Sequence, residues 1–421
     1  MSTTIPSPVP EEAASRAGTD PYIWTVLTVA VATQTAGSFV SQGVYILVPF
    51  WRDAFGISLA SAALAVTAMN GTQILTMVSL GRAIDRHGER VVVGIAMVGM
   101  ALAMVAAALA SELIGLLLCM SVLGGTYAAV QPGGTRAIMR WFPPQHRGLA
   151  TGFRQAAVPL GTMIAAALLP LLAVRVGLAA AAWSSAAVSL LGALLFLLFY
   201  KEGGAAQAKR ETPLALRQLI RTVGENPRFW PVLRLGIAMS AFQFTFTAHA
   251  IGYMADALAL GMLGAASLFA LAQLAGIPGR VLLPWLSDRL RPGRRSQSFA
   301  VTALLGAAAA AALAALPAGV PAPLAAAVLV LFGIFGIGWF PLYLLDIAEM
   351  APRSSIASTV SFASTLCLIV MALGPWLFGL AADRFGYACA WALLIVPVVV
   401  TALPLLRSRD RALEARVDGP A

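Results

Sequence analysis

Charge is what this chain has least of. Only 11% of its 421 residues are Asp, Glu, Lys or Arg, against 59% hydrophobic, which excludes a water-soluble globular domain of this length. Cysteine is scarce as well. Cys119, Cys367 and Cys389 each sit inside an apolar run, too scattered for a disulfide framework or a metal cluster, and read as core filler. No HExxH, GxSxG or Cys-His grouping occurs. Asp346 and Glu349 form a helical i, i+3 pair, but near the end of an apolar run rather than at the depth where a membrane enzyme would work. Enzymatic activity, a metal and a cofactor are therefore not expected. The net charge of +10 comes from cations that punctuate apolar segments and form no aromatic-interleaved patch, so a nucleic-acid partner is excluded. Residues 1–20 lack the basic start and small-residue cleavage site of a secretory signal. With Pro6, Pro8, Pro10, Glu11 and Glu12 they read as a disordered cytoplasmic tail. Only residues 408–421 follow Arg407, little for a signalling receptor.

What is present is hydrocarbon-soluble helix. Mean hydropathy is +0.84, and a spanning helix needs about 20 mainly apolar residues. Apolar runs place spans near 22–50, 58–83, 90–110, 113–139, 148–173 and 178–200, then near 231–256, 262–286, 296–316, 322–349, 355–381 and 386–407. The expected fold is all-α and polytopic. Twelve transmembrane helices form two pseudo-symmetric six-helix bundles, 21–200 and 231–407, flanked by tails over 1–20 and 408–421. A cytoplasmic linker over 201–230 is the one long polar interruption, carrying Gly203, Gly204, Lys209, Arg210, Arg217 and Arg221. Within it Thr212-Pro213 offers a helix start, Leu214, Leu216, Leu219 and Ile220 are apolar, and Gly224 can end the turn. This predicts a short amphipathic helix on the membrane surface.

One charged stretch, GRAIDRHGER from Gly81 to Arg90, lies between two apolar spans. Its pattern G-x-x-x-D-R-x-G-x-R resembles the loop between the second and third helices of the major facilitator superfamily, through Gly81, Asp85, Arg86, Gly88 and Arg90. Val91 departs from the family pattern, where a second basic residue is common. A second copy, Asp288-Arg289 in LSDRLRPGRR, follows the eighth span, with Pro284 in place of the first Gly. Arg147-Gly148 and Arg353-Ser354 are a weaker pair, as parallel repeats of a transporter imply. The resemblance implies a secondary transporter of the bacterial inner membrane, monomeric, whose loop residues act as a conformational latch that can break in another state. The alternative is that these charges anchor helix ends and set topology. With the N-terminus inside, 3 of the 28 Lys and Arg fall outside (Arg52, Arg175, Arg384), 2 fall within spans (Arg154, Arg280) and the other 23 fall on the cytoplasmic side. Both termini are thus expected inside.

Polar groups within spans are the candidates for substrate chemistry, because a charge in hydrocarbon persists only for a reason. Arg154 and Arg280, one in each half, could clamp a carboxylate with their forked donors. The competing reading pairs Arg280 with Asp346 or Glu349 and makes Arg154 a brace of the inner gate. His249 and Asp346 are candidates for proton coupling. Gln34, Asn70, Gln73, Tyr127, Gln243 and Gln273 lie at central depth, and the resemblance favours Gln34, Tyr127, Gln243 and Tyr343, since the first, fourth, seventh and tenth helices border the pathway. Single amides also bond between helices in ordinary bundles. The drug/proton antiporter motif Gly-Pro-x-x-Gly-Gly is not matched by Val158-Pro159-Leu160-Gly161-Thr162. The intramembrane arginines resemble those of bacterial organic-anion and monocarboxylate transporters. The expected function is alternating-access transport of a small organic anion through the lipid bilayer, coupled to protons or exchange. The alternative is a drug/proton antiporter exporting hydrophobic or cationic compounds.

Overall fold

In a computed structural model, residues 21–57, 59–202 and 214–407 are described. The expected tails, and the linker positions Gly203, Gly204, Lys209, Arg210 and Thr212-Pro213, lie outside them. The helices of the first half are α1 (Tyr22–Phe55), α2 (Leu59–His87), α3 (Glu89–Leu109), α4 (Leu113–Tyr127), α5 (Val130–Trp141), α6 (Pro144–Arg175) and α7 (Leu178–Phe199). A short α8 (Leu216–Gly224) leads to the second half. This holds α9 (Phe229–Asp256), α10 (Gly261–Leu290), α11 (Arg295–Ala314), α12 (Ala322–Phe332), a π turn (Gly333–Ile337), α13 (Phe340–Met350) and α14 (Ile356–Arg407).

These make twelve spans. The pieces α4 and α5 form the fourth, α12 to α13 the tenth, and α14 contains both the eleventh and the twelfth, separated where Gly386 takes φ 79° and ψ 166°. Ten stretches among the described residues are long and apolar enough to cross a bilayer. The remaining two, α2 and α9, are 29 and 28 residues long and less apolar because they carry Asn70 and Gln73, or Gln243 and His249.

Broken helices in the fourth and tenth spans share one cause. Pro132 lacks an N–H for the carbonyl of Ala128 and its ring collides with it, so α4 ends at Tyr127 and α5 starts at Val130. Pro341 stands in the same relation to Ile337, and there the chain widens into the π turn before α13. Pro132 and Pro341 are separated by the same interval along the chain as Gln34 and Gln243, so the break belongs to the repeat.

The apolar core is in two large bodies. One holds buried residues from Ile23 to Tyr200; the other holds Leu219 to Leu405 together with Met139. Each bundle therefore has its own core, and a small patch of Ile84, Ala96, Ala129 and Ala357 joins them. Helix α8 joins the second core through Leu219 and Val223, so it docks on the C-terminal bundle, with apolar contacts beyond those expected of a helix lying on a membrane. The bundles meet where the second span runs along the eleventh and the fifth along the eighth. A Cβ on Gly152 would lie 2.6 Å from the Arg280 carbonyl oxygen and 2.8 Å from the Val281 Cα, so only glycine permits that approach.

Candidate functional site

Between the bundles lies a cavity of about 160 Å³, walled by spans one, two, four and five on one side and seven, eight, ten and eleven on the other. Gln34, Gln73, Tyr127, Gln131 and Gln155 supply the polar groups of the N-terminal wall, with Met77 and Val158 between them. The opposite wall has Gln243, Arg280, Ser364 and Cys367 among Phe244, Phe340, Leu368 and Met371. No Asp or Glu lines the cavity among the described residues, and no group of His, Cys, Asp or Glu there could hold a metal ion. Of the expected substrate-binding residues, Gln34, Tyr127, Gln243 and Arg280 are brought together here. Arg154 and Tyr343 are not.

Arg154 is buried behind this wall. Its Nη1 donates to Gln34 Oε1 at 2.7 Å and its Nη2 to Thr135 Oγ1 at 2.9 Å, so it fixes a cavity glutamine rather than reaching the cavity itself. Tyr343 is packed against Trp339 and Phe299, and its hydroxyl oxygen accepts from Cys367 Sγ at 3.3 Å. Its aromatic bulk places it in the second core. Gln243 Oε1 accepts from Trp339 Nε1 at 2.8 Å. Asn70 turns away to donate to the Tyr45 hydroxyl at 2.8 Å.

Among the described residues Arg280 is the one cation on the lining. Its Nη1 donates to the Gln155 carbonyl at 3.1 Å, its Nε has no acceptor, and no carboxylate pairs with it among the described residues. The expected alternative, pairing with Asp346 or Glu349, is corrected by the structure. Those acids gather round Arg295 at the start of the ninth span. Glu349 accepts from Arg295 Nε at 3.1 Å and Nη2 at 3.0 Å, and Asp288 meets Nη2 at 2.7 Å. Asp346 lies within electrostatic reach of Arg295 and beside Ser296, with Oδ2 unbonded. The two-point guanidinium-carboxylate fit explains why Glu349 takes this partner.

His249 is apart from the lining. Its Nε2 lies 2.9 Å from the Pro375 carbonyl oxygen, which can only accept, so that nitrogen carries the proton. Its ring packs on Phe378 with centroids 4.9 Å apart.

The loop residues divide into two groups. Asp85 reaches across to the N-terminus of α14, accepting from Ala357 N at 3.1 Å, Ser358 N at 2.7 Å and Ser358 Oγ at 2.7 Å, while Arg136 Nη1 pairs with it at 3.0 Å. Asp288 reaches the other way and accepts from Gly148 N on α6 at 2.8 Å. Each carboxylate thus meets backbone N–H groups near the start of a helix in the opposite bundle, where the dipole also favours a negative charge. Gly81 lets α2 approach the eleventh span, since a Cβ there would lie 2.8 Å from the Ala357 carbonyl oxygen. The others stay within one bundle. Gly88 turns the chain at φ 92°. Arg90 donates to the Leu197 carbonyl and, through its N–H at 2.9 Å, to Glu202. Arg86 is exposed, and exposed Arg289 lies over the Trp285 ring at 4.9 Å.

Sequence reasoning missed a buried acid. Glu89 is fully enclosed, with Arg136 Nε at 3.5 Å, Arg140 Nε at 3.3 Å and the Tyr200 hydroxyl at 2.6 Å. Arg136, counted with the loop charges by sequence, is buried in α5. Gln131, Gln155 and Ser364 were missed too. The signal was available: Gln155 and Ser364, like Val158 and Cys367, are separated by the interval that relates Gln34 to Gln243.

Comparison with known proteins follows the same architecture. An uncharacterized MFS-type transporter of Mycobacterium tuberculosis is 28% identical over 400 residues, covering 93% of this chain and 87% of its own length. The hexuronate transporter of Escherichia coli is 23% identical over 234 residues, covering 52% of this chain and 53% of its own. The crystal structure of the Escherichia coli fucose:proton symporter aligns with a TM-score of 0.74 at 14% identity, over 92% of this chain and 100% of that one, a likeness of fold. The family model of the Major Facilitator Superfamily matches residues 27–375. That match runs from the first span into the eleventh, through all the helices that wall the cavity, and so this chain belongs to the major facilitator superfamily as a multi-pass membrane transporter.

Proposed function

We propose that the protein moves a small organic anion, a carboxylate, across the bilayer by alternating access, with proton coupling or exchange. The observation that carries this reading is Arg280, a cavity guanidinium with an unbonded Nε and no carboxylate partner among the described residues. Arginine stays charged in a low-dielectric site, and an uncompensated charge there is costly. An anionic ligand supplies the missing partner, and the likeness to a hexuronate transporter points the same way. Export of a lipophilic cation fits less well, because the described lining residues offer it no acid.

On this reading Asp85 and Asp288 are the latch that holds the loop side shut, assisted by Gly81. Gly88, Arg86, Arg90 and Arg289 shape and anchor the loops. The loop side is cytoplasmic, with both termini on it, in the inner membrane of a bacterium, and the working unit is the monomer. The bundles are 21–200 and 231–407. A coupled proton is carried at Asp346, whose Oδ2 is unbonded, rather than at His249. Asp346→Asn is then expected to abolish proton-dependent uptake while His249→Phe keeps it.

The first experiment is thermal stabilisation of the purified protein by a panel of carboxylates, sugars, amino acids and lipophilic cations, because any ligand that binds the folded state raises its apparent stability. Stabilisation by a carboxylate that vanishes in Arg280→Ala is the expected result. Stabilisation only by lipophilic cations, unchanged in that variant, would discard the anion reading.

A further inference from the structure

Gln34 and Gln243 line the cavity from equivalent places in the two bundles, and neither amide is free to choose which end it shows. The Gln34 Oε1 accepts from Arg154 at 2.7 Å and the Gln243 Oε1 from Trp339 at 2.8 Å. Guanidinium and indole nitrogens only donate, so each amide oxygen must turn toward its anchor and each NH2 group the other way. Gln34 Nε2 gives one N–H to Ser38 Oγ at 3.3 Å and keeps a second.

Arg280 adds to the same bias. Its Nε is a buried donor without an acceptor, whereas no hydrogen bond fixes the Gln131 and Gln155 amides, which can turn either end to a ligand. No carboxylate stands among the described lining residues to receive it. Hydroxyls such as that of Ser364 can turn either way and add no bias. The groups of the lining whose polarity is fixed, at Gln34, Gln243 and Arg280, are therefore N–H donors, and each loses free energy until an acceptor arrives.

We infer that Gln34 and Gln243 are specificity-determining residues that select, among carboxylates held by Arg280, those whose second polar group only accepts hydrogen bonds, such as a ketone oxygen. This rests on the anion reading given above and narrows it. A ketone oxygen takes donors from both walls. A hydroxyl accepts but brings a further donor, and an ammonium brings donors alone together with a charge repelled by Arg280. Arg154 and Trp339 are positioning residues, because they act through the amides they orient.

The test uses the purified full-length protein and a matched series, 2-oxobutyrate, 2-hydroxybutyrate and 2-aminobutyrate, reading the concentration that gives half-maximal thermal stabilisation. The wild type is expected to bind the oxo acid at least about tenfold more tightly than the amino acid, with the hydroxy acid between, because the wrong partner leaves buried donors unpaired. Gln243→Glu replaces a donor by an acceptor while leaving Trp339 satisfied, and is expected to reverse the order of the oxo and amino acids. Trp339→Phe frees the Gln243 amide to rotate and is expected to narrow the gap to about threefold, a change in selectivity that lost packing alone would not give. If that variant does not fold, Gln243→Glu decides. Equal binding of the three acids by the wild type, with Arg280→Ala still abolishing it, overturns this inference and leaves the anion reading standing. So does a Gln243→Glu protein that keeps the wild-type order. Failure of every carboxylate to stabilise the wild type overturns the anion reading itself, and this inference with it.

Discussion

In the N-terminal bundle the loop-side acid stands at the start of the third span, as Glu89, and its bases, Arg136 and Arg140, stand on the fourth. The C-terminal bundle has them the other way round, with the base Arg295 at the start of the ninth span and the acids Asp346 and Glu349 on the tenth. Coulomb attraction depends on the product of two charges, so both signs can be exchanged without loss. Asp85 and Asp288 are not exchanged. Both accept from backbone N–H groups across the interface, whose polarity no substitution can reverse. Ion pairs within a bundle can be rewritten, whereas a carboxylate that meets a helix start must stay a carboxylate. In the cavity the repeat keeps the positions but not the charge. Met77 stands to Arg280 as Asp85 stands to Asp288 along the chain, and both line the cavity, so the positive charge belongs to one wall only.

The largest effect should come from the inverted ion pairs. Glu89→Gln leaves Arg136 and Arg140 without their buried acid and is expected to destabilise the N-terminal bundle by about 3 to 5 kcal/mol. Arg295→Gln should do the same to the C-terminal bundle. Thermal unfolding in detergent reads both, and a loss confined to one of them would break the equivalence of the two networks.

Next comes the one-sided cation. Arg280→Met makes the two walls alike and is expected to weaken carboxylate binding by at least about 2 kcal/mol, the scale of a lost charged hydrogen-bond partner. Retained affinity in binding assays would mean that the asymmetry has no bearing on the ligand.

The two clamps should differ by less. Asp85 accepts three hydrogen bonds across the interface and Asp288 one, so Asp85→Asn is expected to cost about 1 to 2 kcal/mol of closed-state stability, and Asp288→Asn a smaller amount. The first should slow transport more than the second in a reconstituted flux assay, with both proteins still inserted. Equal rates would show that the bonds to the opposite bundle do not set the barrier. The smallest effect is expected at His249, where His249→Phe removes one hydrogen bond, worth about 1 kcal/mol, and leaves transport and its pH dependence near wild type.

Much of the fold is legible in the residues alone. Twenty-residue apolar runs fix spans because an exposed backbone in hydrocarbon must bond within its own helix, and the Gly81–Arg90 loop marks the superfamily. Span ends are less so: α1 continues to Phe55, beyond its most apolar stretch. Within the site, Gln34, Tyr127 and Gln243 stand out as polar residues at central depth on helices that the resemblance sets beside the pathway, and Arg280 as a charge within a span. Arg154, the other charge within a span, and Tyr343, favoured by the same resemblance, are elsewhere, since position along a helix does not say which way a side chain turns. Glu89 escapes notice because, in sequence, it is one more charge in a charged loop.

The sequence by itself determined the twelve spans, the pairing of the two halves and the presence of two arginines in hydrocarbon. These follow from local composition and from spacing, which tertiary contacts do not alter. Only the tertiary structure decided that Arg295 takes the carboxylates and leaves Arg280 without one among the described residues, that Asp85 and Asp288 each meet a helix of the other bundle, and that Arg154 and Trp339 hold the amide oxygens of two cavity glutamines. Those choices join residues far apart in the chain. Which donor meets which acceptor is settled by distance and direction in the packed bundle, and neither can be read from spacing along one helix.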